Sequence, residues 1–177
     1  MQRTVAMSQM RLSNDARDVF VTSALGSCVG LALYDPVACV GGMVHCVLPL
    51  SKIDPASAQT HPFLFVDTGV PALIQGLLDM GANKDRIVAS VAGAATLLDT
   101  ERSFRIGERN YIVLRKILWK NKIPLAAEAT GGSVTRTLHF YMDTGRTVVK
   151  APNDEAHWAR QDAPARQTPR VHPVVST

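Results

Sequence analysis

Long apolar runs are missing from this 177-residue chain, and stretches such as VGLALY at 29–34 fall far short of the roughly 18 residues that a membrane helix needs. No membrane insertion is expected. The opening MQRTVAMSQMRLSNDARD has no continuous apolar stretch of the secretory kind, so the cytoplasm is the expected compartment. Cysteine is scarce too. Cys28, Cys39 and Cys46 are an odd set in a chain expected to stay inside the cell, which points to reduced thiols rather than a disulfide framework. Paired C-x-x-C and H-x-x-x-H spacings are absent, and the neighbours His45 and Cys46 would face opposite sides of a strand. Neither a metal nor another cofactor is therefore expected. The net charge is a modest +4. Its densest part, Arg102, Arg105, Arg109, Arg115, Lys116, Lys120 and Lys122 against Glu101 and Glu108, lacks aromatic side chains spaced for base stacking, which argues against nucleic acid. A solvated helix face is the ordinary reading of such a run, and a docking face for an acidic protein is the sharper one.

What is present suits one folded domain. A hydrophobic content of 46% can bury a sizeable core. Residues 1–150 read as that single domain. From Ala151 to Thr177 prolines accumulate and periodic apolar patterning stops, so this part reads as a disordered tail, with ordering around Trp158 on a partner as the alternative. Three short strands are expected around VFVTSA, VGLALY and VHCVL, separated by Gly-Ser, Asp-Pro and Gly-Gly signals. Residues 51–62, with two prolines, read as an exposed loop free to move over a site. A helix should then start at a Thr68 cap with Pro71 in its first turn, and stop at Gly81. IVASVAGAA at 87–95 reads as a buried strand ending in small residues, the mark of a close approach by backbone or ligand. A second helix is expected over 111–120 with Asn110 as its cap, and a β-hairpin around Asp143-Thr144-Gly145.

The chemistry concentrates in LGSCVG and GGMVHCVLP. A cysteine after Gly26-Ser27 at a strand boundary sits in a turn whose backbone N–H groups can converge on one spot. A free thiol becomes a useful nucleophile when a neighbour promotes the thiolate, and His45 is the candidate, provided that the strands carrying Cys28 and His45 are adjacent and antiparallel. Each residue also has an ordinary reading. Cysteines are mostly structural, which is the expectation for Cys39 and Cys46, and a lone strand histidine or threonine such as His45 or Thr22 is usually just hydrogen-bonded core.

The run TSALGSCVGLALYDPVACVGGMVHCVLP, with IGERN and GGSVTR further on, resembles the CheD family of chemoreceptor glutamine deamidases, over roughly residues 15–150. Three departures stand out: Cys46 where the family tends to have phenylalanine, AGAA at 92–95 for F-G-G-A, and ATGGSVTR at 129–136 for D-x-G-G-x-x-G-R. The resemblance implies a mixed α/β fold of packed β-sheets flanked by helices, similar to that of deamidating bacterial toxins. It implies Cys28 as nucleophile, His45 as its base and acid, and Thr22 as the residue that orients the imidazole, with Gly26, Ser27, Gly41 and Gly42 around the substrate and the oxyanion. The implied activity is hydrolysis of receptor glutamine side chains to glutamate through a thioester. The implied partners are chemoreceptor cytoplasmic helices and the phosphatase CheC. A non-catalytic adaptor of the same fold, or a thiol redox sensor using Cys28 and Cys46, would be the rivals.

Overall fold

A computed structural model describes residues 1–97 and 104–152; the expected tail and Trp158 lie outside the described residues, apart from Ala151 and Pro152. Among the described residues, nine strands form two mixed sheets. β1 (Gln2–Thr4), β3 (Val19–Leu25), β8 (Arg136–Tyr141) and β9 (Thr147–Lys150) make a four-stranded sheet in the order β1-β3-β8-β9. β2 (Met10–Ser13), β5 (Val40–Cys46), β4 (Val29–Asp35), β6 (Val88–Gly93) and β7 (Leu125–Thr130) make a five-stranded sheet in the order β2-β5-β4-β6-β7. The fold is thus the expected mixed α/β class.

Strand parity explains the layering. Successive side chains of a strand face opposite sides, so a strand covered on both sides is buried throughout. All seven residues of β4 and of β5 are buried. On one side Val29, Leu31, Leu33, Val40, Val44 and Cys46 pack against helix α2 (Val66–Asp79) and helix α3 (Ile106–Lys120). On the other, Ala32, Tyr34 and Met43 meet Phe20, Leu138 and Phe140 of the four-stranded sheet. The Tyr34 ring meets Phe140 edge-on at 5.8 Å, and Phe140 stacks on Phe20 at 6.1 Å. The hairpin expected around residues 143–145 joins β8 to β9.

Several expected boundaries move. α2 begins at Val66, which places Thr68 inside the helix, where its hydroxyl donates to the Pro62 and Phe65 carbonyls, and leaves Pro71 in the helix interior. The segment expected as an open loop holds a one-and-a-half-turn helix, α1 (Pro55–Thr60), capped by Asp54, with 3-10 turns before and after it. α3 starts at Ile106, so Asn110 is no cap but a fully buried residue of the second turn. β1, β2 and β7 have too little apolar alternation to be read from sequence. Among the described residues no helix is long and apolar enough to cross a membrane.

Asp35 closes β4 and is completely buried. Its carboxylate takes N–H bonds from Val37, Ala38 and Asn83 and a forked pair from Arg86 at 2.8–3.2 Å. Burial pushes its pKa up, but the Arg86 guanidinium and these N–H groups outweigh burial and hold it at about 2. Replacing Arg86 with leucine leaves a buried charge without its counter-ion and should cost about 3 kcal/mol. Urea unfolding of Arg86→Leu at neutral pH checks this.

Candidate active site

The register of β4 and β5 sets His45 opposite Gly30, on the strand pair that the sequence required to be adjacent and antiparallel. Parity then turns the imidazole toward the four-stranded sheet, while Cys46 turns toward α2. Across the layer, β3 offers Thr22. Its Oγ1 lies 2.7 Å from His45 Nδ1, and both residues are buried. Gly30 makes this contact between sheets possible, because a Cβ there would lie 2.9 Å from Leu25 Cδ1 and 3.0 Å from Thr22 Cγ2. β3 also bulges between Thr22 and Leu25, with Ala24 at φ +58, and the bulge turns Leu25 back into the core before the cysteine turn.

Backbone contacts hold that turn on every side. The carbonyl of Gly26 accepts from Ala95 N–H at 2.8 Å, and the carbonyl of Cys28 accepts from Ala94 N–H at 2.8 Å. Between them, the Ser27 carbonyl accepts from the Asn110 side chain at 2.9 Å. Gly93 sits at φ +112 with Cys28 so near that a Cβ would come 2.1 Å from its carbonyl oxygen. The small-residue end of β6 is therefore a close approach of backbone, made by the cysteine turn itself. Gly107, in the first turn of α3, packs onto the Ala94 and Ala95 carbonyls, where a Cβ would lie 2.6–2.7 Å away. The positive end of the α3 dipole thus lies beside the segment that grips the cysteine, a setting that favours an anion nearby. Cys28 itself is 8% exposed, at the edge of the layer between the sheets.

Burial lowers the His45 pKa to about 4, so the imidazole is neutral near pH 7. A neutral ring that donates Nδ1–H to the Thr22 hydroxyl leaves its Nε2 lone pair available, and Nε2 is buried with no hydrogen-bond partner among the described residues. Such a ring can take a proton. Cys46 is the opposite kind of thiol: burial above all, then the nearby Cys28 and Asp67, pushes its pKa up and keeps it un-ionised. It packs on the helix side, where a Cβ on Gly69 would lie 2.8 Å from its sulfur. The half-buried Cys39, at φ +53, points its sulfur to the Pro36 carbonyl at 3.7 Å.

The structure brings Thr22 and His45 into contact and sets Gly26, Ser27 and Cys28 in one turn at the start of the neighbouring strand. It does not bring Gly41 and Gly42 there. They pair with Tyr34 and Leu33, three to four steps along β5 from His45, which is roughly 10–13 Å at strand rise. Both are packing glycines: a Cβ would strike Phe140 and Met142 at Gly41, and β2 and Leu73 at Gly42. Sequence reasoning missed Gly30, although a glycine inside an apolar strand is a signal of close approach. It also missed the role of Asn110.

The model of the family "CheD chemotactic sensory transduction" matches residues 47–151, beginning just after His45. A protein of Solibacter usitatus named "Probable chemoreceptor glutamine deamidase CheD" is 46% identical over 145 residues, 82% of this chain and 86% of that protein. One of Syntrophus aciditrophicus, named "Probable chemoreceptor glutamine deamidase CheD 1", is 42% identical over 147 residues, covering 83% and 92%. Among solved structures, the Bacillus licheniformis hypothetical protein YfiH aligns with 68% of this chain and 49% of its own, at 15% identity and a TM-score of 0.43.

The buried imidazole has a thermodynamic signature. Its pKa is depressed on folding, so the unfolded chain takes up the proton first as the pH falls from 6.5 toward 4, and stability is lost across that window. The loss from this group should reach about 3 kcal/mol. His45→Gln removes it, so the stability difference between wild type and variant should shrink by that amount from pH 7 to pH 4 in denaturant titrations. Parallel pH profiles would show that the ring is not buried in its neutral form.

Proposed function

The chain belongs to the CheD family, and from that premise we propose that it hydrolyses glutamine side chains of chemoreceptors to glutamate, with Cys28 as the nucleophile. The observation that carries this reading is the Thr22 to His45 hydrogen bond, which leaves a neutral imidazole with a bare Nε2 near the start of β4. The relatives' names supply the substrate class.

Attack begins as the Cys28 sulfur adds to the carboxamide carbon while His45 Nε2 takes the thiol proton. The carbonyl oxygen becomes an oxyanion, which the backbone N–H groups near Ser27 and Cys28 meet, the Gly26 N–H being taken by the Ala24 carbonyl. Collapse of this intermediate breaks the C–N bond, and the imidazolium gives its proton to the departing ammonia. A thioester remains. Water, activated by the same imidazole, adds to it and returns the thiol and a glutamate side chain. Thr22 holds the ring in the tautomer that both half-reactions need. A hydroxyl supports the transient imidazolium less than a carboxylate would, so turnover is slow. The reaction takes place in the cytoplasm, on the receptor's cytoplasmic helices, and changes a neutral side chain into an anion at each site.

Docking falls to the outer face of α3. Ile112 is 55% exposed and Trp119 79% exposed, with Arg115 and Lys116 between them, so apolar and cationic contacts share one face. A receptor helix, or the phosphatase CheC, is the partner this face serves. Reversing charge at Arg115, Lys116 and Lys120 should weaken receptor-fragment binding at low salt while the melting temperature stays put. Unchanged affinity would make the face merely solvated.

The chemistry is tested with a purified receptor cytoplasmic fragment and peptide mass analysis, in which each deamidation adds about one mass unit. Cys28→Ala should abolish the gain, and His45→Gln should slow it by about 10²- to 10⁴-fold. Thr22→Val should cause a smaller loss. Deamidation by Cys28→Ala at the wild-type rate would overturn the assignment and favour an adaptor role.

A further inference from the structure

The buried face of α3 consists of Gly107, Asn110, Leu114 and Leu118. Asn110 is the one amide among them. Its Nδ2 donates to the Ser27 carbonyl at 2.9 Å and to the Val47 carbonyl at 2.9 Å. Both amide hydrogens are thereby used, and a flipped amide would press its oxygen against two carbonyl oxygens, so the partners fix its orientation. Oδ1 is buried and has no hydrogen-bond partner among the described residues. The side chain is therefore held for what its nitrogen does.

The two acceptors are telling. Ser27 immediately precedes Cys28, and Val47 follows the β5 strand two residues beyond His45. The Ser27 carbonyl and the Cys28 N–H belong to one peptide unit, and no peptide bond among the described residues is cis, so the two groups point in opposite directions. A carbonyl tied to α3 aims the Cys28 N–H away from the helix. We propose that Asn110 is a positioning residue for the deamidation reaction: it sets the Ser27–Cys28 peptide plane whose N–H meets the oxyanion, and fixes that turn against the strand carrying His45. This rests on the deamidase reading for its reaction, but the geometry of the turn can be read separately through the reactivity of the Cys28 thiol.

The test uses the full chain with Asn110→Leu, of similar volume but without donors, and Leu114→Ala, a control on the same buried face one turn further along. A Cys39→Ser, Cys46→Ala background confines alkylation to Cys28. In Asn110→Leu, kcat for receptor-fragment deamidation should fall about 100-fold with KM changed less than about threefold, the size expected from misplacing a reacting group. The rate of Cys28 alkylation by iodoacetamide, followed against pH, should change in both midpoint and plateau. Leu114→Ala should lower the melting temperature yet keep kcat and the alkylation profile. If Asn110→Leu does not fold, Asn110→Ser is read in the same way. Wild-type kcat and alkylation in the folded Asn110 variant, or equal losses in Leu114→Ala, would overturn the proposal. A wild-type protein that deamidates nothing would overturn the function instead, and the alkylation profiles would still decide the role of Asn110.

Discussion

A hydrogen bond between two sheets is the constraint around which the rest is arranged. Thr22 belongs to the four-stranded sheet and His45 to the five-stranded one, and their 2.7 Å contact requires the sheets to close to side-chain length at that point. Elsewhere the layer between them is filled by Phe20, Tyr34, Met43 and Phe140, which keep the sheets apart. The gap narrows where Gly30 contributes no side chain. Removing one Cβ from the central strand is what turns an apolar sandwich into a place where a hydroxyl can reach an imidazole.

The same closeness sets the chemistry. An imidazole taken out of water loses affinity for its proton, so at neutral pH His45 rests as a base and not as half of an ion pair. In the proposed reaction Cys28 then gives up its proton during attack and not before it. Support for the developing charge would have to come from fixed N–H dipoles, and the peptide planes of the turn are held in place by their carbonyls, of Gly26, Ser27 and Cys28, all tied to neighbouring elements. Gly93 and Gly107 let those elements come near enough to do so.

Much of this was legible in the sequence because strand parity is a short-range rule. Alternation along VGLALY and GGMVHC places His45 and Cys46 on opposite faces, and the Asp35-Pro36 turn makes the two strands antiparallel neighbours. Where reading failed, the missing information was tertiary. Asn110 looks like a helix cap by residue type, yet α3 begins earlier from Arg105 in the left-handed region, without a side-chain cap bond. Gly41-Gly42 looks like a turn beside the histidine, yet β2 and Phe140 press on that part of β5 and only glycine fits. The depressed pKa of His45 belongs to neither its type nor its neighbours in the chain, because burial in the folded protein causes it.

Satisfaction of buried polar groups separates framework from site without reference to any relative. Asp35 has every oxygen engaged by backbone and Arg86, and Asp18, though one oxygen lacks a hydrogen bond, faces the N-terminal ammonium at 3.8 Å and Arg3 at 2.8 Å. The other two buried atoms without hydrogen-bond partners among the described residues are His45 Nε2 and Asn110 Oδ1, both neutral and both on residues tied to the neighbourhood of Cys28. Each such atom costs about 1–3 kcal/mol, while a hydrogen bond contributes about 0.5–1.5 kcal/mol, so the two bonds of Asn110 roughly offset its idle oxygen. An apolar residue at that position would leave the Ser27 and Val47 carbonyls without these donors. An amide that ties the cysteine turn to α3, and an imidazole nitrogen without a hydrogen-bond partner among the described residues, both fix geometry near one thiol, which is what the proposed attack by Cys28 needs.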